Sequence, residues 1–239
     1  MKELVIGIIS SIVSAFLTWI ATKAYVGYKS FKGIKHAARF NKDCFDAGII
    51  NVFPTRKTYV QHKEHGTSSE YISRAEHSVL YIGYWLASGI DMGNLKETIK
   101  KLTKDKKTVT LVFINPHNKI SLSTCSDYIG ISSGKIKSRV KTAIKEVLDL
   151  KKQLGEDSHY LIIKIHDVPL SASAFVIDDT MSKKCRILVD YKLYKKSREE
   201  SYGIEYQNTN KIITKRMLES YKSIANSAIE IADISELHR

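Results

Sequence analysis

The sequence predicts an α/β fold, a sheet covered by helices on both faces, preceded by a single membrane-spanning helix. Three observations carry this expectation. Short β-branched runs alternate with longer stretches whose apolar residues recur every three or four positions. One short run, TVTLVFI at Thr108–Ile114, is almost continuously apolar, as a strand must be when both faces of its sheet are buried. Finally, Leu4–Thr22 (LVIGIISSIVSAFLTWIAT) runs nineteen residues without a charge. At about 1.5 Å of helical rise per residue, that length spans the roughly 30 Å hydrocarbon core of a bilayer.

A cleaved secretory signal would need a basic start, a shorter apolar core and a small-x-small cleavage site. Met1-Lys2-Glu3 carries almost no net side-chain charge, and the apolar run is followed by Lys23, Lys29, Lys32, Lys35, Arg39 and Lys42, a cluster that impedes export. The favoured reading is an uncleaved signal anchor over residues 1–26, with a cleaved signal or an interfacial helix as its competitors. The positive-inside rule then places the short N-terminus outside and the rest in the cytoplasm, a single-pass topology at a bacterial inner membrane. Trp19, Tyr25 and Tyr28 fall near the cytoplasmic boundary, where amphipathic rings settle. Residues 27–46 form a basic juxtamembrane stem, 47–230 a single domain and 231–239 a C-terminal tail. Gly7, Ser10, Ser11, Ser14 and Ala15 are small enough for helices to pack closely in lipid, so a homo-oligomer, dimer or higher, is expected.

The 239 residues carry a net charge of +13, which suits an anionic inner leaflet, nucleic acid or a phosphorylated small molecule. Charge alone does not choose among them. Cys44, Cys125 and Cys185 have neither metal-ligand spacing nor a disulfide framework, in keeping with a reducing compartment. No metal or other cofactor is expected. Only 3 prolines and no low-complexity stretch argue against a long disordered linker.

Along the chain, strands are predicted at Ile49–Phe53, Ser78–Gly83, Thr108–Ile114, Tyr160–His166, Ala172–Ile177 and Arg186–Asp190. Helices are predicted at Ser68–Glu76, Asn94–Lys104, Lys135–Gln153 and Thr214–Ala228. Gly155-Glu-Asp-Ser reads as a turn within one domain, and Tyr202-Gly-Ile-Glu-Tyr206 as a continuation of the sheet edge without chemistry. Loops at the carboxyl ends of such strands are where α/β proteins gather ligands. Those loops supply Arg56 after the first strand, Tyr84 and Trp85 after the second, and Asn115 and His117 after the third. Gly130-Ile-Ser-Ser-Gly-Lys135 then opens a helix, with Lys135 and Arg139 near an N-terminus that could present backbone N–H groups to an anion or simply be capped. It is not a Walker A loop, because three residues separate its glycines and Ile136 follows the lysine.

The order of these pieces resembles one family: FPTR after a first strand, AEHSVLYIGYWL, KTVTLVFINP, a Gly-Ile-Ser turn with a basic helix, then PLSASAFVIDD. It is similar to the phospholipase D-like superfamily, in its DUF5919-type form, over roughly residues 47–228. The resemblance implies a mixed sheet flanked by helices. It also implies phosphodiester chemistry through His-x-Lys-x4-Asp motifs, two of which are brought together by two halves of a chain or by a dimer. Aligned on Asp178, this chain has Ser171 where the family has histidine and Ser173 where it has lysine. A serine hydroxyl without an adjacent base is a poor nucleophile near neutral pH, and it lacks the positive charge a phosphate needs.

Ser171, Ser173, His117 and His166 are therefore weak catalytic candidates. Arg56, Tyr84, Trp85, Asn115, Lys135, Arg139, Ser171, Ser173 and Asp178 are candidate ligand contacts. Asp178-Asp179 reads first as a turn cap with carboxylates on opposite faces. Tyr191–Arg198, which mixes aromatics with bases, reads as a solvated strand edge or else a nucleic-acid groove. His62 and His65 have no further metal-ligand pair nearby and read as loop residues. Two functions follow. One is a membrane-anchored, non-catalytic module that binds a phosphorylated ligand such as a nucleotide, or a protein partner, and signals at the membrane, as an anti-phage effector would. The alternative is a phosphodiesterase, nuclease or phospholipase, with an altered catalytic set; nucleic acid is a possible but not favoured partner.

Overall fold

The computed structural model describes residues 22–23, 25–30, 32–33, 35, 37–62, 66–86, 90–196, 198–233 and 235–236. The chain divides into two compact units, Met1–Phe45 and Asp46–Arg239. In the first, every described residue is helical, and the unbroken described stretch, residues 37–45, is α1. Tyr25, Tyr28, Phe40 and Phe45 are exposed. The expected transmembrane segment lies outside the described residues except for Thr22. Among the described residues, no helix is long and apolar enough to cross a membrane.

The second unit runs β1 (Ile49–Phe53), α2 (Arg56–Gln61), α3 (Ser68–Ile72), β2 (Ser78–Gly83), α4 (Ile90–Lys104), β3 (Thr108–Ile114), α5 (Lys119–Ile129), α6 (Ser133–Gln153), β4 (Leu161–His166), β5 (Ala172–Ile177), β6 (Arg186–Tyr191), β7 (Tyr202–Gln207), α7 (Ile212–Ser227) and β8 (Ile229–Glu230). Its strands form one 8-stranded sheet in the order β1-β7-β6-β5-β2-β3-β4-β8. β2, β3 and β4 are mutually parallel, and every other pairing is antiparallel, so the sheet is mixed.

β3 sits in the middle of the parallel part, and Val109, Val112, Phe113 and Ile114 are each 0% exposed. Its polar residues, Thr108 and Thr110, are half-buried at the strand's start, and from Leu111 onward both faces are covered. On one side Val79, Tyr81 and Leu111 pack with Ile99 of α4 and Ile144 of α6. On the other, Ile82, Val176 and Ile187 pack with Leu218 and Tyr221 of α7. The expected two-sided sandwich is present.

Local chemistry explains most boundaries. The predicted helix at Ser68–Glu76 is only Ser68–Ile72, set by a Thr67/Glu70 capping box and ended at Ser73. Tyr160 belongs to a 3-10 turn over Gly155–Tyr160 rather than to β4. The segment after β1 is the short helix α2, started by a Thr55/Thr58 capping box. α5 occupies residues given no element from sequence, between the loop 115–118 and the turn at Gly130, with Asn118 accepting from the Ser121 N–H at 2.9 Å. Tyr202–Gln207 is not a sheet edge: β7 lies between β1 and β6.

Asp178 closes β5 onto β2. It sits in the left-handed region at φ 54, and its carboxylate accepts the backbone N–H groups of Glu76 at 3.0 Å, His77 at 2.7 Å and Ser78 at 3.2 Å. Asp179 turns the other way and takes the Ser78 hydroxyl and the Lys222 ammonium, each at 2.7 Å. The two neighbours cap rather than converge, and Asp178, 3% exposed, is committed to the backbone.

Replacing Asp178 with alanine would strand three N–H donors and put a Cβ-only residue at positive φ. We expect a loss of about 2–4 kcal/mol in urea unfolding, with Asp178→Asn costing less because it keeps one acceptor and tolerates that conformation.

Candidate functional site

The β1, β7, β6 and β5 strands are antiparallel neighbours, so their registers decide which side chains stand together. Phe53 is opposite Gly203, Gly203 opposite Asp190, and Asp190 opposite Ser173. Side chains alternate faces along a strand, and partner residues share a face. This row therefore lies across one end of the sheet, at the carboxyl ends of β1, β2 and β6.

Above it is a cavity of about 650 Å³ lined by Ser173, Asp190, Gly203, Arg56 and Tyr59, among others. Gly203 contributes no side chain to the row. A Cβ on Gly83 would overlap the Tyr81 hydroxyl and press on the Ser173 Cβ at 2.9 Å. That hydroxyl instead donates to the Trp85 carbonyl at 2.8 Å, fixing the turn after β2.

The electrostatics are lopsided. Among the described residues, the cavity is lined by the cations Arg56, Arg139, Lys192, Lys195 and Lys196 and by one carboxylate, Asp190. The Arg56 guanidinium donates to Asp190 Oδ2 at 3.3 Å, and the Lys192 ammonium donates to the same oxygen. The Arg56 and Lys192 side chains are only 14% and 16% exposed, so this triad is shielded from solvent. Arg139, from α6, stacks over the Trp85 ring at 5.4 Å, a cation–π contact that forms one wall. Leu86, Leu95, Ile129 and Leu188 supply apolar lining.

The lysine-rich segment after β6 also lines the cavity, and α5 holds it in place. The Lys195 N–H donates to the Tyr128 carbonyl at 2.8 Å, and the Tyr128 hydroxyl donates to the Lys192 carbonyl at 2.9 Å. In sequence this stretch reads as a solvated edge. β6 is in fact internal, and Lys192, Lys195 and Lys196 line the cavity.

Of the residues singled out from sequence, Arg56, Tyr84, Trp85, Arg139 and Ser173 are brought together at the cavity. Tyr84 has a buried hydroxyl without a conventional partner, lies against Cys125, and is held neutral because burial pushes its phenol well up. The others lie elsewhere. Ser171 is exposed, and its carbonyl accepts the Lys192 N–H at 3.1 Å. Asn115 and exposed His117 form a turn at the end of β3, where the side-chain carbonyl oxygen of Asn115 accepts the His117 N–H at 2.9 Å. Lys135 is exposed in the first turn of α6, whose N-cap Ser132 makes no side-chain bond. Asp178 is the buried staple described above. His62 packs edge-on against Phe53 at 5.5 Å, and His65 is outside the described residues.

His166 is 3% exposed at the end of β4, and neither ring nitrogen has a hydrogen-bond partner of normal geometry. Burial pushes its imidazole down to about 4, only partly offset by the Gly83 backbone and the Asp167 charge. It is a neutral, packed side chain and does not line the cavity.

Sequence reasoning missed Asp190 and Gly203, and it reached the lysines of the wall only through the groove alternative to a solvated edge. It also missed Glu205, which is 0% exposed, two residues from Gly203 on the same face. Glu205 accepts from the Asn51 side-chain amide at 2.8 Å and the Tyr71 hydroxyl at 3.3 Å, with Arg186 at 3.7 Å. Burial raises its carboxyl, and Asn51 and Arg186 offset part of that. The one available signal was a Glu between Ile204 and Tyr206, an acid on the face opposite two apolar neighbours.

No family model matches the chain, and no curated protein matches it. The DUF5919-type assignment therefore rests on motif order alone. Among solved structures, the chain is similar to a phosphatidylserine synthase of Haemophilus influenzae Rd KW20, at 12% identity and TM-score 0.49, covering 73% of this chain and 40% of that one. It is also similar to Nuc, a phospholipase D family member from Salmonella typhimurium, at 12% identity and TM-score 0.41, covering 69% and 88%. A third is TrmBL2, an archaeal chromatin protein, at 10% identity and TM-score 0.43, covering 93% and 71%. The chain thus spans less than half the length of the first of these. What the cavity can do follows from its own residues.

The His166 environment generates a pH effect of definite sign. Unfolded, the imidazole titrates near 6.5; folded, it titrates at about 4, so the unfolded chain takes the proton first. Stability contributed by the neutral ring is intact above 6.5 and is lost as pH falls toward 4, by on the order of 3 kcal/mol in full. The urea midpoint of wild type should fall relative to that of His166→Phe as pH drops through that window.

Proposed function

We propose that this protein is a membrane-anchored, non-catalytic, phospholipase D-like module whose cavity binds a phosphorylated small molecule with an apolar or aromatic body, of the nucleotide class. The observation that carries this reading is the composition of the cavity: five cations against one carboxylate, beside a Trp85–Arg139 wall and apolar side chains, in about 650 Å³. Phosphates are held by such cation clusters, and a flat apolar body stacks against an aromatic face. The volume falls in the range of small-molecule sites.

The absence of catalysis is supported by the same residues. Among the described residues, no histidine lines the cavity. The carboxylate across the ladder from Ser173, Asp190, is engaged by two cations through Oδ2, and a serine–carboxylate pair without a histidine lacks the base that ordinarily activates a hydroxyl. Anchoring is supported by the uncharged Leu4–Thr22 run and the basic residues after it. A ligand bound in the cavity would act as a signal passed to the membrane through a homo-oligomer; an anti-phage effector is one such use.

Nucleoside diphosphates at a hundred times their dissociation constant should stabilise the full-length chain by about 2.7 kcal/mol, a rise in Tm of about 5–10 °C. Arg139→Ala should remove most of that rise. No shift in wild type with any nucleotide or with pyrophosphate would end the phosphate-binding reading. Hydrolysis of a generic phosphodiester that disappears in the Ser171→Ala, Ser173→Ala double variant would overturn the non-catalytic one. A reporter fused after Arg239 should be cytoplasmic.

A further inference from the structure

A carboxylate is out of place in a cavity that binds phosphate, and Asp190 is the one carboxylate among the described lining residues. It repels the anion that its neighbours attract. Its geometry suggests why it is there. Both of its cations bind the same oxygen: Arg56 and Lys192 each donate to Oδ2. Among the described residues, Oδ1 accepts no hydrogen bond. Directly across the ladder stands Ser173, half-buried and lining the same cavity, its hydroxyl likewise without a bonded partner among the described residues.

Residues at partner positions in an antiparallel pair hold their Cβ atoms about 4.5–5.5 Å apart. A carboxylate oxygen that can only accept and a hydroxyl that can accept and donate are thus fixed side by side on rigid strands. The ligand feature that satisfies both is a pair of adjacent hydroxyls. One hydroxyl donates to Asp190 Oδ1, and the second exchanges a bond with Ser173 Oγ. The two cations on Oδ2 hold the rotamer of Asp190, so Oδ1 is presented in one orientation. Arg139 and Lys195 remain for phosphate, with Lys196 shared with Glu200 at 3.3 Å, and the Trp85 face remains for a base.

We propose that Asp190 and Ser173 are specificity-determining residues that read the vicinal diol of a ribose, so that the cavity selects ribonucleotides over deoxynucleotides and over bare phosphates. This rests on the phosphorylated-ligand reading above. The alternative for Asp190 is a plain charge neutraliser for Arg56 and Lys192.

Binding to the full-length chain in mild detergent separates these. The probes are the ribonucleoside 5′-diphosphates, their 2′,3′-dideoxy counterparts and inorganic pyrophosphate, each titrated into wild type, Asp190→Asn and Ser173→Ala. Wild type should bind at least one ribonucleoside diphosphate about tenfold more tightly than its dideoxy counterpart. Asp190→Asn should close that gap while pyrophosphate binds as well as before or better, since a negative charge is gone. Ser173→Ala, which leaves the ion pairs intact, should narrow the gap without affecting pyrophosphate. If Asp190→Asn strengthens all three probe classes by the same factor and the ribose preference persists, Asp190 is only a neutraliser and the diol assignment fails while phosphate binding stands. It fails equally if wild type binds pyrophosphate and nucleotides but shows no ribose preference. If no probe binds wild type, the phosphorylated-ligand reading fails with it.

Discussion

Strand register is the constraint on which the candidate site depends. Phe53, Gly203, Asp190 and Ser173 come from four separate stretches of chain, and only the antiparallel ladders of β1, β7, β6 and β5 set them in a row. A slip of one residue in β6 would turn Asp190 to the other face and bring Val189, a core residue packed beneath α7, into the cavity. Several devices oppose such a slip. Asp178 ties the end of β5 to the start of β2 through three backbone N–H groups. Glu205, one pleat further along β7, is gripped from β1, β6 and α3 at once. A shifted β7 would bury that carboxylate without partners, an error costing several kcal/mol.

The buried polar groups thus fall into two kinds. Asp178 and Glu205 have their oxygens occupied by backbone or side-chain donors, and their role is to define the sheet. Asp190 is held through one oxygen and keeps the other available. Surrounded by cations and partly shielded from water, it stands where interactions with a ligand are stronger than at an open surface. The cavity is polar along its floor and one wall and apolar elsewhere, so it suits a ligand that is itself divided between charged and flat apolar parts.

The strand-end rule reached part of this region. Arg56, Tyr84, Trp85 and Arg139 were found because each follows a strand or begins a helix and carries a side chain that can meet an anion or a flat ring. The same rule also selected Asn115 and His117, which the sheet places away from the cavity because β3 and its following turn lie on the far side of β2 from β5, and Lys135, which is exposed one turn before Arg139 on α6. The family-style alignment selected Ser171 and Ser173 together, yet only Ser173 reaches the cavity, since Ser171 precedes β5 and its backbone pairs with Lys192. Tyr191–Arg198 reads in sequence as a solvated edge, with a nucleic-acid groove as the alternative, because a run of lysines ordinarily protects an unpaired strand, and Asp190 reads only as the last residue of the strand before it. Nothing local distinguishes that from an internal strand followed by a basic loop.

By itself, the sequence determined the α/β class, six of the strands to within a residue, the bulk of the three long helices α4, α6 and α7, and the uncharged N-terminal run, because hydrophobic period and length are local properties of a chain. Tertiary structure alone decided that β7 is inserted between β1 and β6, that the basic segment after β6 closes over a cavity, and that Asp190 faces Ser173. These depend on pairing between residues far apart in sequence. Pairing energies are summed over whole strands, so the partner of any one residue is not written in its neighbourhood.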